Sequence, residues 1–119
     1  MGWLDPLDTI ELVIGSVLAD LDGLVIESIS HDVNFDPQSF AVGMTSATQE
    51  IGALAEDLGD QLRRYMITME KNELVIICFG SYMLGTSLKR DRGRRDVRRE
   101  LLRLASDISA ELEEVKDGR

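Results

Sequence analysis

The chain has 119 residues, 44% hydrophobic and 29% charged, with a formal net charge of −9. That length and balance describe one domain with a single core, and the acidity argues against nucleic-acid binding through phosphate neutralisation. No apolar run reaches the ~20 residues that a membrane span requires, and the lone cysteine excludes an internal disulfide or a cysteine-based metal cluster.

The charge is segregated. Residues 1–62 hold twelve acids and no Lys or Arg, whereas residues 63–119 hold all 13 bases against ten acids. Such asymmetry can mark a nucleic-acid or membrane surface, and in a folded domain the two halves can also neutralise one another.

Met1-Gly-Trp-Leu-Asp-Pro6 lacks the basic start and apolar core of a signal peptide. Pro6 also occupies the Ser/Thr position of a myristoylation signal, so a cytoplasmic location is expected. Leu7 to Leu12 reads as one or two helical turns, with Asp5 as N-cap and Pro6 at the first helical position. Two apolar runs, Ser16–Ala19 and Leu24–Ile29, flank Asp22-Gly23, the signature of a type I′ hairpin. His31 is the only histidine and falls in a loop that ends at Asp36-Pro37, a carboxylate cap followed by a helix-starting proline.

The helix predicted over Pro37–Leu58 carries two stripes. Phe40, Met44, Ala47, Ile51, Leu54 and Leu58 form the apolar one, expected to pack on a sheet. Ala41, Thr45, Thr48, Gly52 and Ala55 follow one position later and are all small, which suits the close approach of another helix. This helix has no Lys or Arg, so burial on more than one side is one reading. Small polar residues that merely face water are the other. Gly59 supplies the stop.

Three strands follow. Gln61–Glu70 alternates in part, with Tyr65, Ile67 and Met69 on one side; its length and polarity suit a sheet edge open to pairing. Lys71-Asn72 is the predicted turn into Glu73–Phe79, and Gly80-Ser81 turns into Tyr82–Arg90. The middle strand is nearly all apolar, which predicts a central position with both faces covered. Cys78 within it reads as an inert core thiol. The last helix, Asp91–Val115, aligns Val97, Leu101, Leu104, Ile108, Leu112 and Val115 on one face, and residues 116–119 read as a tail.

This order, α-β-β-α-β-β-β-α, predicts an α+β domain over residues 1–119: a five-stranded antiparallel sheet sandwiched by helices. The residues resemble the Roadblock dynein light-chain family over about residues 7–115. The resemblance lies in Gly15-Ser-Val-Leu-Ala-Asp-Leu-Asp-Gly-Leu-Val-Ile26, the Pro37–Leu58 helix, the Glu73–Phe79 strand and Met83-Leu-Gly-Thr-Ser-Leu-Lys-Arg90. Members often have a longer first helix, so one sheet face is expected to be thinly covered here. Many also enter the last strand with an Asn-Leu-Gly type of sequence, where this chain has Tyr82-Met83-Leu84-Gly85.

The resemblance implies a homodimer in which edge strands join into a ten-stranded sheet and the middle helices lie side by side. It places Tyr65, Ile67 and Met69 on the pairing strand and Ala41, Thr45, Thr48 and Gly52 on the paired helices. It also implies a Ras-like small GTPase as partner, since bacterial and archaeal members often accompany such GTPases. Gliding-polarity members stimulate hydrolysis by repositioning the GTPase's own residues. A scaffold that leaves nucleotide turnover unchanged is the alternative. A small-ligand sensor would need a polar pocket that the sequence does not display.

No P-loop, metal-protease, redox-pair or Ser-His-Asp pattern occurs, so no catalytic residue and no cofactor are expected. Lys89 to Arg103 holds eight bases against three acids, while Glu111-Leu-Glu-Glu114 closes the same helix. Both ends oppose the helix macrodipole, with Asp96–Arg99 and Glu100–Arg103 as available i,i+3 pairs. Arg95, Arg98, Arg99 and Arg103 fall opposite the apolar stripe. They are either a solubilising outer face or a contact for an anionic partner, a membrane or the acidic half of a neighbouring dimer.

Overall fold

The computed structural model describes residues 2–90 and 97–117, the last five by backbone alone. A 3-10 turn at Asp5–Leu7 leads into β1 (Val13–Asp20), β2 (Val25–Ser30), α1 (Pro37–Asp57), β3 (Arg64–Thr68), β4 (Asn72–Phe79), β5 (Tyr82–Lys89) and α2 (Val97–Asp117). The strands form one antiparallel sheet in the order β2-β1-β5-β4-β3. The predicted element order therefore holds, with a 3-10 turn as its first helix. The predicted residues 91–96 of the last helix lie outside the described part, and α2 continues past Val115 to Asp117.

Side chains alternate across the sheet and build two cores. On one face Val17, Ala19, Ile76 and Met83 pack with Ala41 and Met44 of α1. On the other, Leu18, Val75, Ile77, Leu84 and Leu88 meet Leu101, Leu104, Ala105 and Ile108 of α2. The middle position belongs to β5 rather than to the more apolar β4. The small residues of β5 explain this: Gly85 admits Phe40 and Met44 from α1, and Thr86 on the opposite face meets Ser16 across the strands, Oγ1 to Oγ 2.8 Å.

The α2 face is less thinly covered than the short N-terminal segment predicts. Leu4 and Leu7 are fully buried in that core, each worth roughly 1.5–3 kcal/mol of burial. Glu27 of β2 anchors the segment by accepting the Trp3 and Leu4 amides at 3.0 and 2.7 Å, and Trp3 Nε1 donates to Glu111 of α2 at 2.7 Å. Asp5 is not the cap. Leu4 holds that position without a side-chain bond, and the Asp5 carboxylate turns back to the Gly2 amide instead.

Three local predictions need correction. The first hairpin is not type I′, because only Gly23 has positive φ, 93°. Leu21, Asp22 and Gly23 form a three-residue loop: Gly23 N–H donates to the Asp20 carbonyl and the Asp20 side chain accepts from Asp22 and Leu24. The second hairpin turns at Glu70-Lys71, with Asn72 already in β4 and accepting from Met69 N–H at 2.8 Å. The strand predicted over Gln61–Glu70 shrinks to Arg64–Thr68, since Gln61 to Arg63 carry the chain over from α1. The Asp36 cap is as predicted, its carboxylate accepting from Gln38 N–H at 3.1 Å. Gly59, at φ 73°, closes the helix with its amide on the Glu56 carbonyl.

Candidate functional site

β3 is a sheet edge. It pairs with β4 on one side, and among the described residues no strand pairs with its other side. Tyr65 and Ile67 point toward α1, whereas Met66 points toward α2. Between the edge and the first half of α1 runs an apolar groove of about 160 Å³ lined by Phe40, Gly43, Ala47, Ile67 and Leu74. The groove exists because α1 leans over β1 and β2 and leaves β3 only partly roofed.

The predicted interface residues separate here. Thr48 Oγ1 lies 2.8 Å from Tyr65 Oη, so both belong to the α1–β3 junction. Thr45 donates to the Ala41 carbonyl at 2.7 Å and abuts Gly23 of the hairpin. Gly52 is half-buried and has open space where a side chain would project. Ala41 is 0% exposed, so its own sheet covers it and it is not on a face open to a second helix. Met69 lies one residue past β3, its carbonyl taken by Arg90 Nη1 at 3.2 Å, with its side chain exposed.

The apolar stripe fails toward its C-terminal end in the opposite sense. Leu54 and Leu58 are 60% and 77% exposed, whereas Ile51, Gly52 and Ala55 of the same turns are half-buried, so Leu54 lies on the outer side of α1. With Val42 they leave apolar side chains facing outward on a helix that carries no base. Phe40 and Leu74 were not among the predicted interface residues. Their apolar alternation marks them as core, and only the tilt of α1 turns them into groove walls.

A second cleft, about 720 Å³, lies between the hairpin tip, the later half of α1 and residues 60–62. Cys78 lines it, and burial pushes its thiol pKa up, away from the reactive thiolate. Burial also raises the Tyr65 hydroxyl pKa, against a smaller opposing effect of the Thr48 hydrogen bond, so the phenol stays neutral and able to donate. His31 has two partners: Nε2 to Asp8 Oδ1 at 2.9 Å and Nδ1 to the Val13 carbonyl at 2.8 Å. It acts as a staple between the N-terminal segment and the end of β2. Among the described residues, no group of three or more His, Cys, Asp or Glu is placed to hold a metal.

On the α2 side, Arg98, Arg99 and Arg103 are exposed, and Arg98 Nη1 leans onto Met66 Sδ of β3 at 3.2 Å. Arg95 and Asp96 lie outside the described residues. Arg64, Met66, Val75, Arg98 and Leu102 line a further groove of about 360 Å³ beside the same edge strand. No helix among the described residues is long and apolar enough to cross a membrane. The surfaces on offer are thus a strand edge, two flanking grooves and charged helix faces, which suit protein contact better than bond chemistry.

A family model of the Roadblock/LC7 domain matches residues 3–87. No curated protein sequence is significantly similar to the chain. Among solved structures the fold is similar to MglB of Myxococcus xanthus, with 21% identity, a TM-score of 0.75 and coverage of 85% of this chain and 84% of that one. It is also similar to the gliding protein MglB of Thermus thermophilus, at 16% identity and TM-score 0.73, covering 86% and 79%. A Roadblock/LC7 domain from Streptomyces avermitilis gives 18% identity and TM-score 0.65 over 89% and 90%. Because the family model spans well over half of the sequence, from the N-terminal segment through most of β5, the chain belongs to the Roadblock/LC7 domain family.

Proposed function

We propose that this protein is a homodimeric platform for a Ras-like small GTPase, acting on the partner's GTP hydrolysis without donating a catalytic residue. The observation that carries the reading is the open β3 edge beside the apolar α1 groove. An unpaired edge flanked by exposed Ile67 and an uncharged stretch of helix is a template for a second copy, which would extend the sheet to ten strands. Thr48, Tyr65 and Ile67 sit at this junction, whereas Thr45 and Gly52 line the cleft on the hairpin side of α1. Family membership supports the GTPase partner, since bacterial and archaeal members often accompany such enzymes. The fold's similarity to MglB agrees with it.

Two measurements test the reading. Light scattering at tens of micromolar is expected to return twice the chain mass, and a monomer defeats the dimer. Single-turnover hydrolysis by a co-encoded Ras-like GTPase is expected to accelerate when this protein is added. A stable complex with an unchanged rate would instead establish the scaffold role.

A further inference from the structure

Arg99, Arg103, Asp107 and Glu111 recur at i,i+4 along one exposed ridge of α2, spanning about 18 Å at ~1.5 Å per residue. Local physics disfavours this arrangement. Arg99 with Arg103, and Asp107 with Glu111, are like-charge pairs at the spacing where repulsion destabilises a helix. Bases first and acids last also oppose the macrodipole. Arg103 and Asp107 have opposite charges but stand in the weaker orientation, base before acid. Arg99, Arg103 and Asp107 make no hydrogen bond or ion pair among the described residues. Glu111 accepts from Trp3 Nε1 through Oε2.

An antiparallel copy of the same helix reverses each of these penalties. With a twofold axis level with Ala105, Arg99 meets Glu111 of the second copy and Arg103 meets its Asp107. The symmetry then repeats both pairs, giving four in all. The basic start of each helix also lies against the acidic end of the other, which answers the dipole mismatch. Ser106 and Ala110 flank the ridge and are exposed and small, so the two backbones can approach closely.

We propose that the outer face of α2 is a self-complementary docking surface for the α2 of a second copy. This contact uses a ridge separate from the α1–β3 junction and goes beyond the dimer proposed above. If both contacts form, they join dimers into larger assemblies. Four ion pairs with little apolar area make a salt-sensitive contact, suited to reversible assembly.

Sedimentation velocity on charge-reversed variants tests the idea. At low salt the wild type is expected to populate a species of twice the mass found at 0.5 M salt. Arg99→Glu/Arg103→Glu makes the ridge wholly acidic, and Asp107→Arg/Glu111→Arg makes it wholly basic. Each variant alone is expected to lose the larger species, with at least a tenfold weaker association. Asp107→Arg alone is expected to act in the same direction while keeping the Trp3–Glu111 bond. An equimolar mixture of the two double variants restores four complementary pairs and is expected to associate more tightly than the wild type. An unchanged mass distribution in the variants, or no recovery in the mixture, overturns the proposal. Failure of the α1–β3 dimer is read separately, as a monomer at high salt. Circular dichroism confirms that each exposed substitution leaves the fold intact.

Discussion

Thr48 Oγ1 and Tyr65 Oη meet at 2.8 Å, the side-chain hydrogen bond that ties the middle of α1 to the free edge strand β3. It fixes the relative position of the two elements that the dimer reading brings together. Tyr65→Phe keeps the ring and removes the bond, leaving the half-buried Thr48 hydroxyl without that partner. The expected loss is about 0.5–1.5 kcal/mol in urea denaturation, with the dimer weakened as well.

Gly85 sits where Met44 Sδ and Phe40 of α1 press on the sheet. A Cβ there collides with the Met44 sulfur and comes within 2.9 Å of Phe40 Cε2. Gly85→Ala is expected to destabilise the fold by about 1–3 kcal/mol through overpacking. Combining it with Met44→Ala should cost less than the sum of the two single changes, since both act on one contact. Strict additivity in thermal or denaturant unfolding would count against this packing account.

His31 donates to Asp8 and to the Val13 carbonyl, and two acceptors around one imidazole favour its protonated form. The Asp8 hydrogen bond, then the Val13 carbonyl, raises its pKa above the ordinary 6.5. A raised folded-state pKa means the staple's contribution is complete below 6.5 and is lost as pH climbs through the elevated value. The denaturation midpoint of the wild type is therefore expected to fall over that window relative to His31→Gln. Parallel pH profiles for the two proteins would rule the staple out as a pH-linked element.

Ile67 is on the free edge and 37% exposed, so a charge there barely disturbs the monomer core. Ile67→Lys is expected to convert the dimer to monomer in light scattering with little change in unfolding midpoint, because edge lysines block strand addition. A retained dimer would move the self-contact elsewhere on the surface.

Arg98 leans on Met66, away from any reacting group that the proposed mechanism asks this chain to supply. Arg98→Ala, and Arg95→Ala likewise, are expected to leave GTPase stimulation largely intact. Loss of stimulation with binding preserved would show that an arginine acts in trans on the nucleotide.

The order of elements, the two-faced alternation of the strands and the Asp36-Pro37 helix start were legible in the residues alone. These are local properties, set by backbone period and by a side chain's reach to amides two or three residues away. Tertiary structure alone decided the rotation of α1. The 3.6-residue period identifies its stripes but not which stripe meets the sheet, and the space above Gly85 resolves this by receiving Phe40 and Met44. Ala41 thereby turns inward, while Leu54 and Leu58 are left facing solvent. The docking of Leu4 and Leu7 and the Asp8–His31 and Trp3–Glu111 contacts were equally illegible, for they join residues 23 and 108 positions apart in the latter two cases. The candidate surface follows the same division. Its edge strand was readable from composition, but its groove exists only because a tilted helix leaves that edge partly bare.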